Sequence, residues 1–176
     1  MTITDPADLL VTRSGVRLHV RAATGADEPA LAQFFANVTP EDLRFRFLST
    51  VPAVSHDRLV EMTRGDDPRA ENLVVADDAG VLLATAMLAG DAAGERAEAA
   101  IAIRRDRKGL GIGWTLLDYL VGRARGQGYR TIEALEDRAN SGALAVERDL
   151  AFERVAVEGD STVVLVRKTL HDVASE

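Results

Sequence analysis

Alternating strand and helix patterns predict a single α/β domain. Segments such as 16–22 alternate apolar and polar residues, as half-buried strands do, whereas segments such as 111–127 repeat apolar residues at helical spacing. The chain has 176 residues, of which 47% are hydrophobic, and this length allows one sizeable core with little room for a second domain. We therefore predict one domain over 13–170, a flexible N-terminal tail over 1–12 and a C-terminal tail over 171–176.

Capping residues and turn signals set the order of the elements. The strand 16–22 (VRLHVRA) comes first, Thr39-Pro40 starts a helix, Asp78-Ala79-Gly80 marks a hairpin, and Gly126 with Gly128 closes the long helix. No repeat or low-complexity linker interrupts the order. The predicted helices lie at 27–38, 40–49, 56–64, 111–127 and 141–149. After the first strand, the predicted strands lie at 72–77, 81–89, 98–104, 131–135, 152–157 and 162–166.

Composition and charge narrow the function classes. The absence of cysteine excludes disulfides, thiolate-ligated metals and a cysteine nucleophile, and His19, His56 and His171 lie too far apart for a local zinc motif. The net charge of −7 disfavours a nucleic-acid partner. The N-terminus lacks a signal-peptide pattern, and no apolar stretch approaches the roughly 18 residues that span a bilayer. We expect a cytoplasmic protein without membrane contact, either a monomer or a homodimer.

The segment 101–117 (IAIRRDRKGLGIGWTLL) joins a strand to a helix through a basic, glycine-dense loop. Such a loop offers backbone N–H groups, and the helix dipole adds about half a positive charge, so a pyrophosphate would fit there. A dinucleotide fingerprint fails because Trp114 stands where a third glycine is needed, and a P-loop motif is absent. A glycine-rich turn without a ligand is the structural alternative.

The loop resembles the phosphate loop [QR]xxGx[GA] of the GNAT superfamily of N-acetyltransferases, with Lys108 in the first position. The predicted element order is also that of the GNAT fold, over roughly 16–168. The resemblance implies a mixed central sheet of about seven strands with helices on both faces, and acetyl-CoA as acetyl donor in a cleft where the fourth and fifth predicted strands, 98–104 and 131–135, splay apart. The implied donor-binding residues are Ile101, Ala102, Ile103, Lys108, Gly109, Leu110, Gly111, Ile112, Gly113 and Asn140.

Asn140, eleven residues before Ala151-Phe152, matches a second signature of the family, although RANSGAL is also a sound helix-capping sequence. Many members carry a tyrosine seven residues after this asparagine as general acid. Here that position is Glu147, which we expect to be a solvated helix residue, and the acid is left unassigned. Tyr119 and Tyr129 better fit packing roles.

Glu98 is the candidate general base. Attack on a thioester requires a neutral amine, whereas a lysine in water has a pKa of about 10.4, so a group in the cleft must accept a proton. Glu98 begins the strand that leads into the loop, and we expect the apolar residues after it to bury its carboxylate. A surface carboxylate at a strand end is the alternative. The lack of cysteine favours direct transfer in a ternary complex.

The segments TPEDLRFRFLS and AEAAIAIRRDRKGLGIG are similar to the GNAT domains of protein lysine acetyltransferases that regulate acyl-CoA synthetases. The resemblance implies that Glu98 is the catalytic glutamate and that the acceptor is a protein lysine, for example on such a synthetase. We expect Arg44, Arg46 and Phe47 to line the acceptor side. A small amine as acceptor and a non-catalytic acyl-CoA sensor are the alternatives, and Glu98 argues against the sensor.

Overall fold

Strands and helices alternate through the part of the chain that the computed structural model describes, residues 7–49 and 53–170. This part contains eight strands and five α-helices. The strands are β1 (Asp8–Val11), β2 (Arg17–Ala22), β3 (Ala70–Ala76), β4 (Leu82–Gly90), β5 (Arg96–Ile103), β6 (Thr131–Asp137), β7 (Glu153–Ala156) and β8 (Val163–Thr169). The helices are α1 (Glu28–Ala36), α2 (Pro40–Phe47), α3 (His56–Arg64), α4 (Ile112–Gly126) and α5 (Ser141–Asp149).

All eight strands form one mixed sheet in the order β1-β2-β3-β4-β5-β6-β8-β7. Every neighbouring pair is antiparallel except β5 and β6, which are parallel. These two strands pair only at their beginnings, from Arg96↔Thr131 to Glu98↔Glu133, and then diverge. β5 remains paired with β4 as far as Ile103, so the opening lies on its β6 side alone. The predicted splayed pair of strands is confirmed.

Two hydrophobic cores cover opposite faces of the sheet. On one face α4 buries Leu116, Leu120 and Ala124 completely against the sheet. On the other face α1 and α3 contribute Leu31 and Leu59, which are almost completely buried, to a second cluster. These positions repeat at helical spacing, because an amphipathic helix turns one apolar stripe toward its sheet. The predicted mixed α/β sheet with helices on both faces is confirmed.

The N-terminal residues are an exception to the sequence prediction. Residues 1–12 were expected to form a tail, but Asp8–Val11 is an edge strand that pairs with β2 in the register Asp8↔Val20. The phenolic hydroxyl of Tyr119 donates to Asp8 Oδ2 at 2.6 Å and fastens this strand to α4. The expected tail is therefore wrong for 8–11. Residues 1–6 and the predicted C-terminal tail, 171–176, lie outside the described residues.

The histidines make local contacts. His19 Nε2 lies 2.7 Å from Asp78 Oδ1, and His56 pairs with Glu28, while His171 lies outside the described residues. In residues 7–49 and 53–170, no group of three or more His, Cys, Asp or Glu side chains is arranged to hold a metal ion. Over the same ranges, no helix combines the length and apolarity that crossing a membrane requires.

Candidate active site

A cleft of about 400 Å³ opens where β5 and β6 diverge. Its walls are β5, the loop before α4, β6, and the first turns of α5, with α2 at one side. Arg104 N donates to Leu83 O of β4 at 2.9 Å. Because successive strand residues direct their N–H groups to opposite sides, Ala102 also faces β4, whereas Ile101 and Ile103 direct theirs toward the cleft. The divergence thus leaves two backbone donors on β5 for a ligand.

Glycines shape the loop at the base of the cleft. Gly109 and Gly111 have φ angles of 76° and 81°, a region that favours residues without Cβ. A Cβ at Gly113 would lie 3.3 Å from Ile103 Cδ1, so this glycine allows α4 to approach β5 closely. Gly111 precedes α4 without capping the helix by a side chain, and the first N–H groups of the helix are left without intrahelical acceptors. The loop therefore presents free backbone N–H groups at a helix N-terminus, a geometry suited to an anion.

Side chains around the loop divide into those that line the cleft and those that do not. Lys108 lines the cleft, but its Nζ lies 2.6 Å from Asp42 Oδ2 and ties the loop to α2. Leu110 does not line the cleft; it packs on the core, and its carbonyl accepts from Ser14 Oγ at 2.7 Å. Arg107, which sequence reasoning missed, does line it. Its Nε is buried with no hydrogen-bond partner among the described residues, so a cationic group is available beside the loop.

Glu98 lies in the cleft, at the last position where β5 pairs with β6. Its side chain is exposed, and the expected burial by apolar neighbours is wrong. The reason is strand geometry, because the buried side chains of Ala97 and Ala99 point to the opposite face of the sheet. Glu98 is consequently accessible from solvent at the point where the strands separate.

Arg46 reaches the same region from α2. Its guanidinium lies 5.0 Å from the centroid of the Phe47 ring, its Nη2 lies 3.9 Å from the sulfur of Met87, and its Nε is buried with no hydrogen-bond partner among the described residues. Burial lowers the pKa of Arg46, the nearby charge of Glu98 opposes this shift, and Arg58 adds to it. A partly desolvated cation therefore lies close to the carboxylate of Glu98.

The other predicted acceptor residues lie elsewhere. Arg44 pairs with Asp137 Oδ2 at 3.3 Å and is not in the cleft lining. Phe47 packs against Phe35, with ring centroids 5.9 Å apart, and also lies outside the lining. Adjacent helix residues are about 100° apart, so α2 cannot direct all of them into one cleft. From this helix Phe45 lines the cleft together with Arg46.

Asn140 performs the capping role that its sequence context indicates and also lines the cleft. Its Oδ1 accepts from Ala143 N at 3.3 Å, at the start of α5. Its Nδ2 donates to Glu136 Oε2 at 3.3 Å. Asn140 therefore orders both the helix and a carboxylate on β6.

Glu147 is buried, with 3% of its surface exposed, and the expectation of a solvated helix residue is wrong. Burial and the adjacent Glu136 raise the pKa of Glu147 to about 10. Both carboxyl groups line the cleft. Helical spacing was the available signal, because Glu147 lies three residues after the buried Leu144 and shares its face of α5.

Comparisons with known proteins agree with this geometry. The sequence model of the Acetyltransferase (GNAT) family matches residues 39–152, well over half of the chain. The GNAT domain of S. lividans PAT superposes with a TM-score of 0.84 at 24% identity, covering 93% of this chain and 97% of that chain. Spermidine N-acetyltransferase from Vibrio cholerae, in complex with CoA and spermine, gives 0.73 at 19% identity over 87% and 95% of the two chains. A phosphinothricin acetyltransferase from Sinorhizobium meliloti, in complex with AcCoA, gives 0.72 at 20% identity over 90% and 92%.

Proposed function

Because the chain belongs to the GNAT family of acetyl-CoA-dependent N-acetyltransferases, we propose that its acceptor is a lysine side chain of a protein. The observation that carries the proposal is the exposed carboxylate of Glu98 at the apex of the strand divergence. A long, flexible lysine side chain reaches such a carboxylate from outside without the rest of the protein entering the cleft. The resemblance of TPEDLRFRFLS and AEAAIAIRRDRKGLGIG to protein lysine acetyltransferases also supports this choice over a small amine.

Backbone N–H groups would make most of the contacts that bind acetyl-CoA. The glycine loop and the N-terminus of α4 would bind the pyrophosphate of acetyl-CoA, with the Arg107 side chain beside them. The N–H groups of Ile101 and Ile103 would bind the pantetheine arm in place of a neighbouring strand. Acetyl-CoA supplies the activated acetyl group, and this arrangement points its arm along β5 toward Glu98.

Acetyl transfer then needs a proton acceptor and stabilisation of negative charge on the thioester oxygen. Glu98 accepts a proton from the lysine ammonium, directly or through water, so that the neutral amine attacks the carbonyl carbon. A cleft-facing backbone N–H of β5 that the pantetheine arm does not occupy stabilises the oxygen as it gains charge. Since the chain has no cysteine to carry an acyl group, the amine attacks acetyl-CoA directly in a ternary complex.

A small amine that carries an anionic group is the second candidate. The buried Arg46 Nε has no hydrogen-bond partner among the described residues, and the guanidinium lies near Glu98. A carboxylate close to the amine of such a substrate would pair with Arg46 while Glu98 accepts the proton. On a protein acceptor, the same arginine would pair with an acidic residue beside the lysine.

The deciding experiment uses two reactions, each containing the purified protein and acetyl-CoA. One reaction contains a pool of folded proteins, and the other contains a pool of small amines. Mass spectrometry then identifies products that have gained one acetyl group. For a protein acceptor, Arg46→Ala is expected to raise KM in a salt-dependent manner while the KM for acetyl-CoA stays unchanged. Arg44→Ala, on the same helix but outside the cleft, is the matched control. Acetylation of small amines alone would refute the protein-lysine proposal.

A further inference from the structure

Departure of CoA requires a second proton transfer that Glu98 does not provide. When the carbon–sulfur bond breaks, the sulfur leaves as a thiolate, and an acid in the cleft that protonates it lowers the barrier. The two tyrosines of the chain are occupied elsewhere: Tyr119 donates to Asp8 of the edge strand, and Tyr129 is buried against Gly90. Neither lines the cleft. The acid must therefore be sought among the other groups of its lining.

The β6–α5 side of the cleft holds a carboxyl pair, the half-buried Glu136 and the buried Glu147. Glu147 Oε2 is buried and has no hydrogen-bond partner among the described residues, although the side chain borders the cleft. Glu136 is held by the 3.3 Å hydrogen bond from Asn140 Nδ2. Asn140 thus holds one carboxyl group in place, while the other, on a residue that lines the cleft, has an oxygen with no hydrogen-bond partner among the described residues.

The electrostatics of the pair favour one shared proton at neutral pH. Two carboxylates in contact in a buried site cannot both ionise without a large electrostatic penalty. Burial raises the pKa of Glu136, and hydrogen bonds from Glu147 and Asn140 act against this shift. Burial and Glu136 raise the pKa of Glu147 to about 10, with Arg154 acting against the shift. Of the remaining charges nearby, Asp137 favours the proton on the pair and is itself paired with Arg44.

We infer that the Glu136–Glu147 pair is the general acid of the reaction, with Glu147 delivering its proton to the CoA sulfur. Glu98 first passes the ammonium proton to water. The carbon–nitrogen bond then forms as the carbon–sulfur bond breaks, the second amine proton passes to Glu98, and the thiolate receives the proton of Glu147. After CoA leaves as a thiol, Glu98 releases its proton to water and the pair takes one from water, so the ammonium has lost two protons, CoA has gained one and one remains in solvent. The thiol of a free cysteine has a pKa of about 8.5, close enough to that of Glu147 for transfer in either direction.

The first test concerns the proton itself and needs no acceptor. Infrared difference spectroscopy of the parent against Glu147→Gln, at neutral pH, should show the carbonyl band of a protonated carboxylic acid that the variant lacks. Titration through pH 10 and above should remove this band from the parent. If the parent shows no such band at neutral pH, the pair carries no proton to donate and the inference fails.

The second test measures the chemical step in single turnovers, with any amine that the enzyme acetylates. Glu147→Gln keeps the shape of the side chain and an N–H donor toward Glu136, but it cannot give up a proton. We expect its rate to fall about 10²-fold or more, with unchanged affinity for acetyl-CoA. The parent should lose activity as the pair ionises at alkaline pH, and the variant should lack this limb. Glu147→Asp, which keeps an acid, should recover part of the rate.

Matched controls separate catalysis from packing. Glu133→Gln changes another glutamate of β6, one that pairs with Arg167 at 2.7 Å and does not line the cleft, and it should leave the rate unchanged. A purely structural role for Glu147 would show as a lower Tm and weaker donor binding in Glu147→Gln without any change in the pH profile. That result, or a parent-like rate at every pH, would overturn the inference. Because the test uses any accepted amine, a small-molecule acceptor would not affect its outcome.

Discussion

Replacing Glu98 by glutamine is the most direct test of the proposed base, since the amide keeps the size of the side chain and removes its basicity. General acid–base catalysis contributes about 10²–10⁴-fold to a rate, which corresponds to about 3 to 5 kcal/mol of activation free energy. Glu98 is exposed and makes no hydrogen bond or ion pair with the other described residues. The Glu98→Gln change should therefore alter the free energy of unfolding by no more than about 0.5 kcal/mol. Turnover should therefore fall without loss of fold.

The assay follows the thiol of released CoA at saturating acetyl-CoA over a range of pH, with calorimetry for the Kd of acetyl-CoA. We expect kcat to fall by the stated factor and the Kd to stay unchanged. Glu95→Gln is the matched control, because Glu95 is an exposed glutamate three residues earlier and lies outside the cleft. If Glu98→Gln has the kcat of the parent at every pH, the amine loses its proton to another group.

Two further changes probe the loop and the acid stability of the fold. Gly111→Glu should abolish acetyl-CoA binding in calorimetry, because bulk and negative charge oppose the pyrophosphate. Gly80→Glu is the control and should bind normally, since Gly80 lies in the β3–β4 hairpin and has a φ of 84°, close to the 81° of Gly111. Equal losses in both variants would point to backbone strain. Hydrogen bonds from Arg21 lower the pKa of Asp27 in the folded protein. The stabilisation they provide is therefore present above the pKa of an unfolded aspartate, about 3.9, and is lost as pH falls through the pKa of folded Asp27. The Tm difference between the parent and Asp27→Asn should close in acid, and a constant difference would refute this reasoning.

Elements with strong local signals were predictable from sequence. The helix α3 was predicted at 56–64 and is observed there, because Ser55 caps its start and Gly65 ends it in a left-handed conformation. The edge strand β1 was missed. Its four residues carry little pattern of their own, and its position depends on pairing with β2 and on a hydrogen bond from Tyr119, 111 residues away. Such contacts are set by tertiary structure and leave no local trace.

The site divides in the same way. The glycine loop and Asn140 are local motifs that sequence identifies, and the structure places both in the cleft lining. The rotation of α2 about its axis decides which of its arginines enters the cleft. Sequence does not show this rotation, so the prediction grouped Arg44 with Arg46, although only Arg46 lines the cleft. The burial of Glu147 depends on the packing of α5 against the rest of the fold, although a glutamate three residues after a buried leucine was a signal within reach.

Two glutamates of the same intrinsic chemistry take opposite parts in this cleft because the strand divergence places them in different surroundings. Glu98 stands on the exposed face of β5 and can accept a proton, whereas Glu147 is enclosed beside a second carboxyl group and retains one. This retention affects stability. The folded pKa of Glu147 lies above its unfolded value, so the stabilisation that protonation provides is complete below the unfolded value and is lost as pH rises toward about 10. The stability contribution should therefore stop declining near pH 10, where the folded group ionises, and the alkaline loss of activity should be centred at that same pH. Glu147→Gln should remove both dependences.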